Sequence, residues 1–438
     1  MRVLINAGPW LPVPPDGYGG IENVVATLVP ELRRRGVYVV LATVGESALP
    51  VDELVCAFPE PRFDLLQRPY NQVMGAAMAH ANRVVRELRG RDDIDLVHDH
   101  LEAVGPTVLG AMNGSAPPVL HTLHWDLTKH AELYGAFDGG GRVFVNGVSA
   151  SQLAMAPLAL RAHSLGHVHL ATPLAEGADR ADGGDRADAG DLAEGADRAD
   201  GGDRPDSADR GDGGDRAGTR ADRAEGGYLV SLGRITPGKG QHIAARVAHR
   251  AGVELLLAGP VGPYHRPAAL ADALATGPEA AGNPDVRYWC EQVRPLVDGR
   301  RVRWIGGVDA ARRDEIVAGA AASLIPLQWE EPGGTAVVES LSLGTPVVGY
   351  RRGCLPELVD EASTGFLVDP GDEDALVRRV GAVGRLSRVA CRRAAAARFT
   401  PSLMAEKYLA LYEAVLQRAA RNWAAPATSY SAPKVNTA

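Results

Sequence analysis

The sequence is poor in cysteine. Four stand in 438 residues, Cys56, Cys290, Cys354 and Cys391, far apart and with neither a Cys-x-x-Cys pair nor a metal-ligand spacing. That excludes a disulfide framework and suits a reducing compartment. Long apolar runs are missing too. No stretch approaches the roughly 20 apolar residues that a membrane-spanning helix needs, and Met1-Arg2 leads into a short strand too brief for a signal-peptide core. The expectation is a soluble, cytoplasmic protein. Basic residues are not in excess, since 46 Lys and Arg face 54 Asp and Glu for a formal charge of −8. The imbalance is local: 16 acidic residues and 8 arginines lie between Glu176 and Glu225, so the remaining chain is neutral. Such a balance gives no reason to expect a nucleic-acid partner.

Two nucleotide signatures are incomplete. Asp16-Gly17-Tyr18-Gly19-Gly20 precedes a helix expected from Ile21, and its glycines let backbone approach a ligand closely. Its spacing is not Gly-x-Gly-x-x-Gly, which argues against an NAD-dependent oxidoreductase. Gly233 and Gly238-Lys239 stand at the spacing of a triphosphate loop, yet Gly240 occupies the position where that motif needs a Ser or Thr for magnesium.

What is present is alternation. From Met1 to Pro173, short β-rich runs (2–7, 38–43, 95–98, 118–124, 142–148 and 167–171) alternate with helical stretches, notably 21–35 and 71–88. The pattern predicts a mainly parallel sheet wrapped by helices. Residues 174–227 break it. Acidic residues recur there at every third position from Glu176 to Asp215, and the stretch beginning at Ala175 returns at Ala193. Period three fits neither helix nor strand, and the apolar residue of calcium-binding glycine/aspartate repeats is missing, so a disordered acidic low-complexity linker is expected. Alternation resumes over 228–401, with strands at 228–232, 254–258, 302–305, 323–327 and 346–350. A C-terminal helix over 402–422 and a disordered tail over 423–438 complete the chain. The fold class is therefore α/β, with two doubly wound, Rossmann-like parallel-sheet domains facing a cleft. Ligands of such sheets bind beyond the carboxyl ends of the strands.

Three groups of residues carry chemistry. Gly233-Arg234-Ile-Thr-Pro-Gly238-Lys239-Gly240 puts two cations at a helix N-terminus, where free N–H groups and the dipole favour an anion, phosphate above all. A structural turn with surface cations is the plainer reading. Glu331-Pro-Gly333-Gly334-Thr335 leads into an apolar helix carrying Glu339. A carboxylate among Val337, Val338, Leu341 and Leu343 needs a polar partner, and a pair of ligand hydroxyls would supply one. In the first domain His98, His100, His121 and His124 end strands. A metal cluster is conceivable, but strand-end histidines more often hydrogen-bond a substrate or the loop backbone. Asp93-Ile-Asp95 looks like a metal-binding pair and reads better as a surface loop. Arg33-Arg34, Arg378-Arg379 and Arg392-Arg393 read as solvated helix faces, with weak peripheral membrane contact as the other reading.

These residues resemble the retaining glycosyltransferases of family 4, of GT-B fold. The likeness rests on Glu331-Pro-Gly-Gly-Thr-Ala-Val-Val-Glu339 with Gly344-Thr-Pro-Val-Val348, on Gly233-Arg234 and Lys239-Gly240, and on Tyr18-Gly-Gly-Ile-Glu22. The wording around Trp329-Glu-Glu-Pro332 and Arg351-Arg-Gly-Cys-Leu-Pro-Glu357 is similar to a subgroup serving oligosaccharide antibiotics such as avilamycin. The resemblance implies a nucleotide-diphosphate sugar donor, an acceptor that is a sugar, a lipid-linked molecule or a small molecule, and no metal or other cofactor. It implies that Arg234 and Lys239 grip the diphosphate, Glu339 the ribose and Glu331 the transferred sugar. Gly333, Gly334 and Thr335 would present amides to the sugar or β-phosphate, His124 would face the reacting sugar, and Gly19 and Gly20 would close over the phosphate. A 2-epimerase of the same fold and a non-catalytic nucleotide-sugar-binding protein are the alternatives. Two departures stand out. Gly333 replaces the family's usual Phe, which removes a wall beside the donor. Leu170-Ala-Thr-Pro173 lacks the usual Asn-Gly-[Ile/Val]-Asp at the interdomain connection.

Overall fold

The structure, a computed structural model, describes residues 1–16, 19–67, 70–112, 116–177 and 227–424. The repeats over 178–226, the tail from 425, and Gly17 and Tyr18 lie outside the described residues.

Two parallel sheets form the frame, as the alternation predicts. The first contains β1 (Arg2–Asn6), β2 (Tyr38–Thr43), β3 (Glu53–Cys56), β4 (Leu96–Asp99), β5 (Val119–Thr122), β6 (Val143–Gly147) and β7 (Ser164–His167), in the order β3-β2-β1-β4-β5-β6-β7. The second contains β8 (Tyr228–Leu232), β9 (Glu254–Ala258), β10 (Val302–Gly306), β11 (Ala322–Ile325), β12 (Val347–Tyr350) and β13 (Gly365–Val368), in the order β10-β9-β8-β11-β12-β13. Central strands such as Val3-Leu4-Ile5 are buried on both faces, which is why their sequence is continuously apolar rather than alternating. Each order reverses once, between β1 and β4 and between β8 and β11. Crevices open at the carboxyl ends of the strands at such reversals.

The first helix, Gly20–Arg34, places Val24, Val25, Leu28, Val29 and Leu32 on one buried face, the spacing of an amphipathic helix. It ends where Gly36 takes a φ of +82°.

Two features differ from the sequence expectation, and the packing of the last helix was no part of it. The last helix, Pro401–Ala424, follows the second domain in the chain but packs on the first. Met404, Ala405, Tyr408, Tyr412 and Val415 join Val3, Ile5, Leu28 and Leu41 in one core. Residues 174–177, expected as the start of the linker, form a helical turn. Its Ala175 is buried with Val337, Val338 and Leu341 of the second domain. Finally, β7 ends at His167, where the alternation predicted a strand to begin.

Candidate active site between the two domains

The loop after β8 holds the two expected cations. Gly240 closes it with a φ of +71°, and a Cβ there would lie 2.1 Å from the Pro326 carbonyl oxygen, so only glycine fits. Fully buried Gln241 fastens the loop from within: its Nε2 donates to the Arg234 carbonyl at 2.8 Å and its Oε1 accepts from the Thr236 amide at 3.3 Å. Arg234 Nη2 then pairs with Asp285 Oδ2 at 2.7 Å, and Lys239 Nζ donates to Glu331 Oε2. Lys239 also stands 5.6 Å from the centre of the Trp329 ring. The structure thus brings Lys239 and Glu331 together across the β8–β11 reversal.

Glu331 is followed by Gly333 and Gly334, which open the helix Thr335–Ser342. Gly334 adopts a φ of +62°, and a Cβ there would sit 2.6 Å from Leu358 Cδ1 and 2.7 Å from Cys354 Sγ. Intrahelical bonding starts at the Val337 amide, so the amides ahead of it, with exposed Thr335 among them, are free to meet an anion. Glu339 lies one turn further on. The partner its burial demands is already present: Arg313 Nη1 donates to Glu339 Oε1 at 2.9 Å. Burial raises the Glu339 carboxyl to about 7 even though Arg313 pulls the other way.

In the first domain, Gly19 precedes the first helix with extended backbone. A side chain there is excluded by Pro15, whose Cγ would lie 2.5 Å from a Cβ, whereas Gly20 is exposed with nothing near it. Glu22, buried in the first turn, is raised by burial to about 7. His124, just past β5, is half-buried. Its Nε2 bonds His100 Nδ1 at 2.8 Å and its amide donates to Glu102 Oε2 at 3.3 Å. Burial, with the charge of His121, lowers His124 to about 3, so its ring is neutral.

The other strand-end histidines do not reach a ligand surface. His98 bonds Tyr412 Oη at 2.7 Å and Thr122 Oγ1 at 2.8 Å beneath the last helix. His121 Nδ1 pairs with Asp99 Oδ2 at 2.6 Å; burial lowers it, and Asp99 more than restores it. Asp93 is consumed by Arg91 and Arg2, and Asp95 Oδ2 accepts the Arg2 amide at 2.7 Å.

Two contacts that the sequence did not signal join the domains. A Cβ on Gly333 would lie 2.6 Å from Leu170 Cδ1 and 3.4 Å from Val148 Cγ2, so the space left by the missing Phe is filled by the first domain rather than open beside the donor. Glu357 receives the Ser151 amide on Oε1 at 2.6 Å, the Ala150 amide on Oε2 at 2.8 Å, and His169 Nε2 at 3.1 Å. Burial would raise this carboxyl, but those bonds outweigh it and hold it near 2. His167, His169 and Glu357 also bring possible metal-ligand atoms within 4.8 Å of one another. The Glu357 oxygens are engaged by the two amides and His169, which accounts for the cluster as a hydrogen-bonded junction.

Among the described residues no helix is long and apolar enough to cross a membrane. Arg33 and Arg34 are engaged by Asp52 and Glu31, and Arg379 by Glu361 and the Phe366 ring.

Two doubly wound domains that meet with their strand-order reversals toward a shared cleft define the GT-B class. Residues 18–175 match the description of Glycosyltransferase Family 4, and residues 220–396 that of Glycosyl transferases group 1. The chain belongs to the family-4-like glycosyltransferases of GT-B fold. It is similar to AviGT4, a glycosyltransferase involved in avilamycin A biosynthesis, at 25% identity and a TM-score of 0.57, covering 95% of this chain and 98% of that one. Among curated proteins it is 32% identical over 147 residues to D-inositol 3-phosphate glycosyltransferase 2 of Catenulispora acidiphila. That match spans 33% of this chain and about a third, 32%, of the relative. The fold, and the fold alone, is shared with HepE of Anabaena, solved with UDP-glucose, at 16% identity and a TM-score of 0.55 over 94% of this chain and 100% of that one.

Proposed function

We propose that the chain moves a glycosyl group from a nucleotide-diphosphate sugar to an acceptor hydroxyl, with retention at the anomeric carbon, without a metal ion, and in the cytoplasm. The observation that carries this reading is Lys239 held against Glu331 at the β8–β11 reversal, with Arg234 on the same loop. Glu331 and Asp285 are paired with the two cations. A diphosphate brings more negative charge than either carboxylate, draws Lys239 and Arg234 to itself, and releases Glu331 to the hydroxyls of the transferred sugar. Glu339 receives the ribose. Gly333, Gly334 and Thr335 offer backbone amides to the sugar or β-phosphate, neutral His124 faces the reacting sugar, and Gly19 and Gly20 close over the phosphate from the first domain.

Breaking the glycosyl–phosphate bond builds charge on the departing diphosphate. Fixed cations and aligned amides stabilise that charge, so the chemistry does not require a metal. The departing phosphate oxygen accepts the acceptor's proton on the face it leaves, and the new bond forms on that face. The UDP-glucose complex of HepE, which shares this fold, supports the donor class, and the glycosyltransferase relatives support glycosyl transfer.

Lys239→Ala and Arg234→Ala, each shown to be folded by its melting curve, are expected to lose about 10²–10³ in turnover. Wild-type turnover in both variants removes the assignment. Incubation with donor alone separates the alternatives: a 2-epimerase yields a new sugar nucleotide, and a non-catalytic binder retains the donor yet glycosylates no acceptor.

A further inference from the structure

His124 has a second histidine behind it. Its Nε2 meets Nδ1 of His100 at 2.8 Å, with the ring centres 5.1 Å apart and the planes 30° from parallel. His100, just past β4, is fully buried, and its Nε2 finds no partner among the described residues. Burial drives both imidazoles to the neutral form, and positive charge on neighbouring histidines, His121 among them, pushes the same way. A neutral imidazole carries its proton on one nitrogen and accepts on the other. A single proton therefore lies between His100 and His124, and it belongs to one ring or the other.

The two cases leave different orphans. Were His124 Nε2 the donor, His100 would accept on Nδ1 and hold its own proton on Nε2, a buried N–H with nothing to bond. Orphaned buried donors of that kind are rare in folded proteins. If His100 Nδ1 donates instead, the orphan is a lone pair, and this domain already tolerates one. Asn6 gives Nδ2 to Asp99 Oδ1 at 2.6 Å and takes the Gly8 amide on its Oδ1 at 3.3 Å, which fixes which end of the amide is oxygen. The 2.7 Å contact of His80 Nε2 with that oxygen then needs a proton on Nε2. Burial keeps His80 neutral, so its buried, unpartnered Nδ1 is a bare acceptor. The same choice at His100 puts the His124 proton on Nδ1, the ring nitrogen left over from the bond between the two rings.

We propose that His100 is a positioning residue for the transfer: by donating from Nδ1 to His124 Nε2 it keeps the His124 proton on Nδ1, so that His124 meets an oxygen of the transferred sugar as a hydrogen-bond donor and not as a base. The bond between the rings stands on geometry, whereas its use at a sugar rests on the proposed function. The assignment suits a transfer in which the departing phosphate, rather than a side chain, takes the acceptor's proton.

Heteronuclear NMR of the full chain, with its histidines nitrogen-labelled, reads the tautomer directly, because protonated and bare ring nitrogens resonate far apart. The His124 signals are those lost in His124→Gln. In the wild type at pH 7, Nδ1 of His124 should be protonated and Nε2 bare. A proton on Nε2, or on both nitrogens, overturns the proposal. Two variants carry the kinetic arm. His100→Leu fills the space but cannot donate, so the His124 proton should spread over both nitrogens and kcat/KM should fall about fivefold, the worth of one neutral hydrogen bond. His100→Asn brings an amide N–H close to where the Nδ1–H stood, and should restore the wild-type tautomer and most of the turnover that His100→Leu loses. Equal losses in the two variants, or an unchanged His124 tautomer in His100→Leu, would show that His100 only fills space. The wild-type spectrum decides the tautomer without any change at His100, so a variant that fails to fold does not shield the idea. The expected tautomer in a chain that transfers no sugar removes the proposed function, while the bond between His100 and His124 stands as assigned.

Discussion

Gly333 lets the two domains approach each other. With no side chain of its own, it accepts Leu170 and Val148 against its backbone. A ring at this position would have to displace Leu170 or part the domains. Gly333→Phe is therefore expected to cost about 1–3 kcal/mol, the usual range for overpacking, and Leu170→Ala in the same chain should return much of it. Urea titration of the two variants checks this, and a Gly333→Phe protein as stable as wild type refutes the packing described here. Glu22 acts through charge instead. Its folded-state carboxyl sits at about 7 against an ordinary 4.5 because burial outweighs the backbone amides that bond it. Between those pH values the folded chain keeps a proton that the unfolded chain releases, so stability falls as pH rises from 4.5 to 7. Glu22→Gln should abolish that fall, a difference of up to about 3 kcal/mol by pH 8. Equal pH slopes of stability in the variant and the wild type would count against it.

At the scale of elements, legibility followed pairing. β2, β8 and β9 begin and end where the alternation placed them, and each lies between two neighbours in its sheet. Of the edge strands, β10 was placed at 302–305, where it is found, and the other three were missed or misplaced. β3 exposes alternate residues of a four-residue run, β13 is four apolar residues after a tight turn, and β7 lies three residues before the alternating His167–Ala171 stretch that looked like a strand. That stretch alternates because it leaves the sheet between the domains, with Val168 bonded to Gly147 and Thr172 to Phe399. The candidate site divides in the same way. Arg234, Lys239 and Glu331 stand in short runs whose glycines and charges are visible in order. Asp285, Arg313 and Glu357 matter only through partners 51, 26 and 206 residues away, a relation that no local pattern encodes. The last helix is the clearest case of tertiary context deciding: nothing in its apolar stripe says which domain it will cover.

At the scale of the whole molecule, Glu357 ties the second domain to the first by filling both amides at the start of the helix Ala150–Ala154, with His169 alongside. A carboxylate accepts both amides at once, whereas a Gln side chain offers one oxygen and an Ala none. The carboxyl lies near 2 in the folded chain against an ordinary 4.5, so its contribution is complete above 4.5 and is lost as pH falls toward 2. It amounts to at most about 3 kcal/mol. The apolar contact at Gly333 does not titrate, so acid should loosen the domains at the Glu357 junction first. Glu357→Gln is expected to weaken the domain contact at neutral pH and to remove the part of the wild-type acid transition that falls between pH 4.5 and 2. X-ray scattering should then show a larger radius of gyration for the variant at pH 7, and donor binding should weaken, because the two walls of the cleft no longer hold their spacing. A variant with wild-type dimensions at pH 7 and an unchanged acid limb would mean that the domains are held together elsewhere, with the Leu170 and Val148 contact against Gly333 the next place to cut.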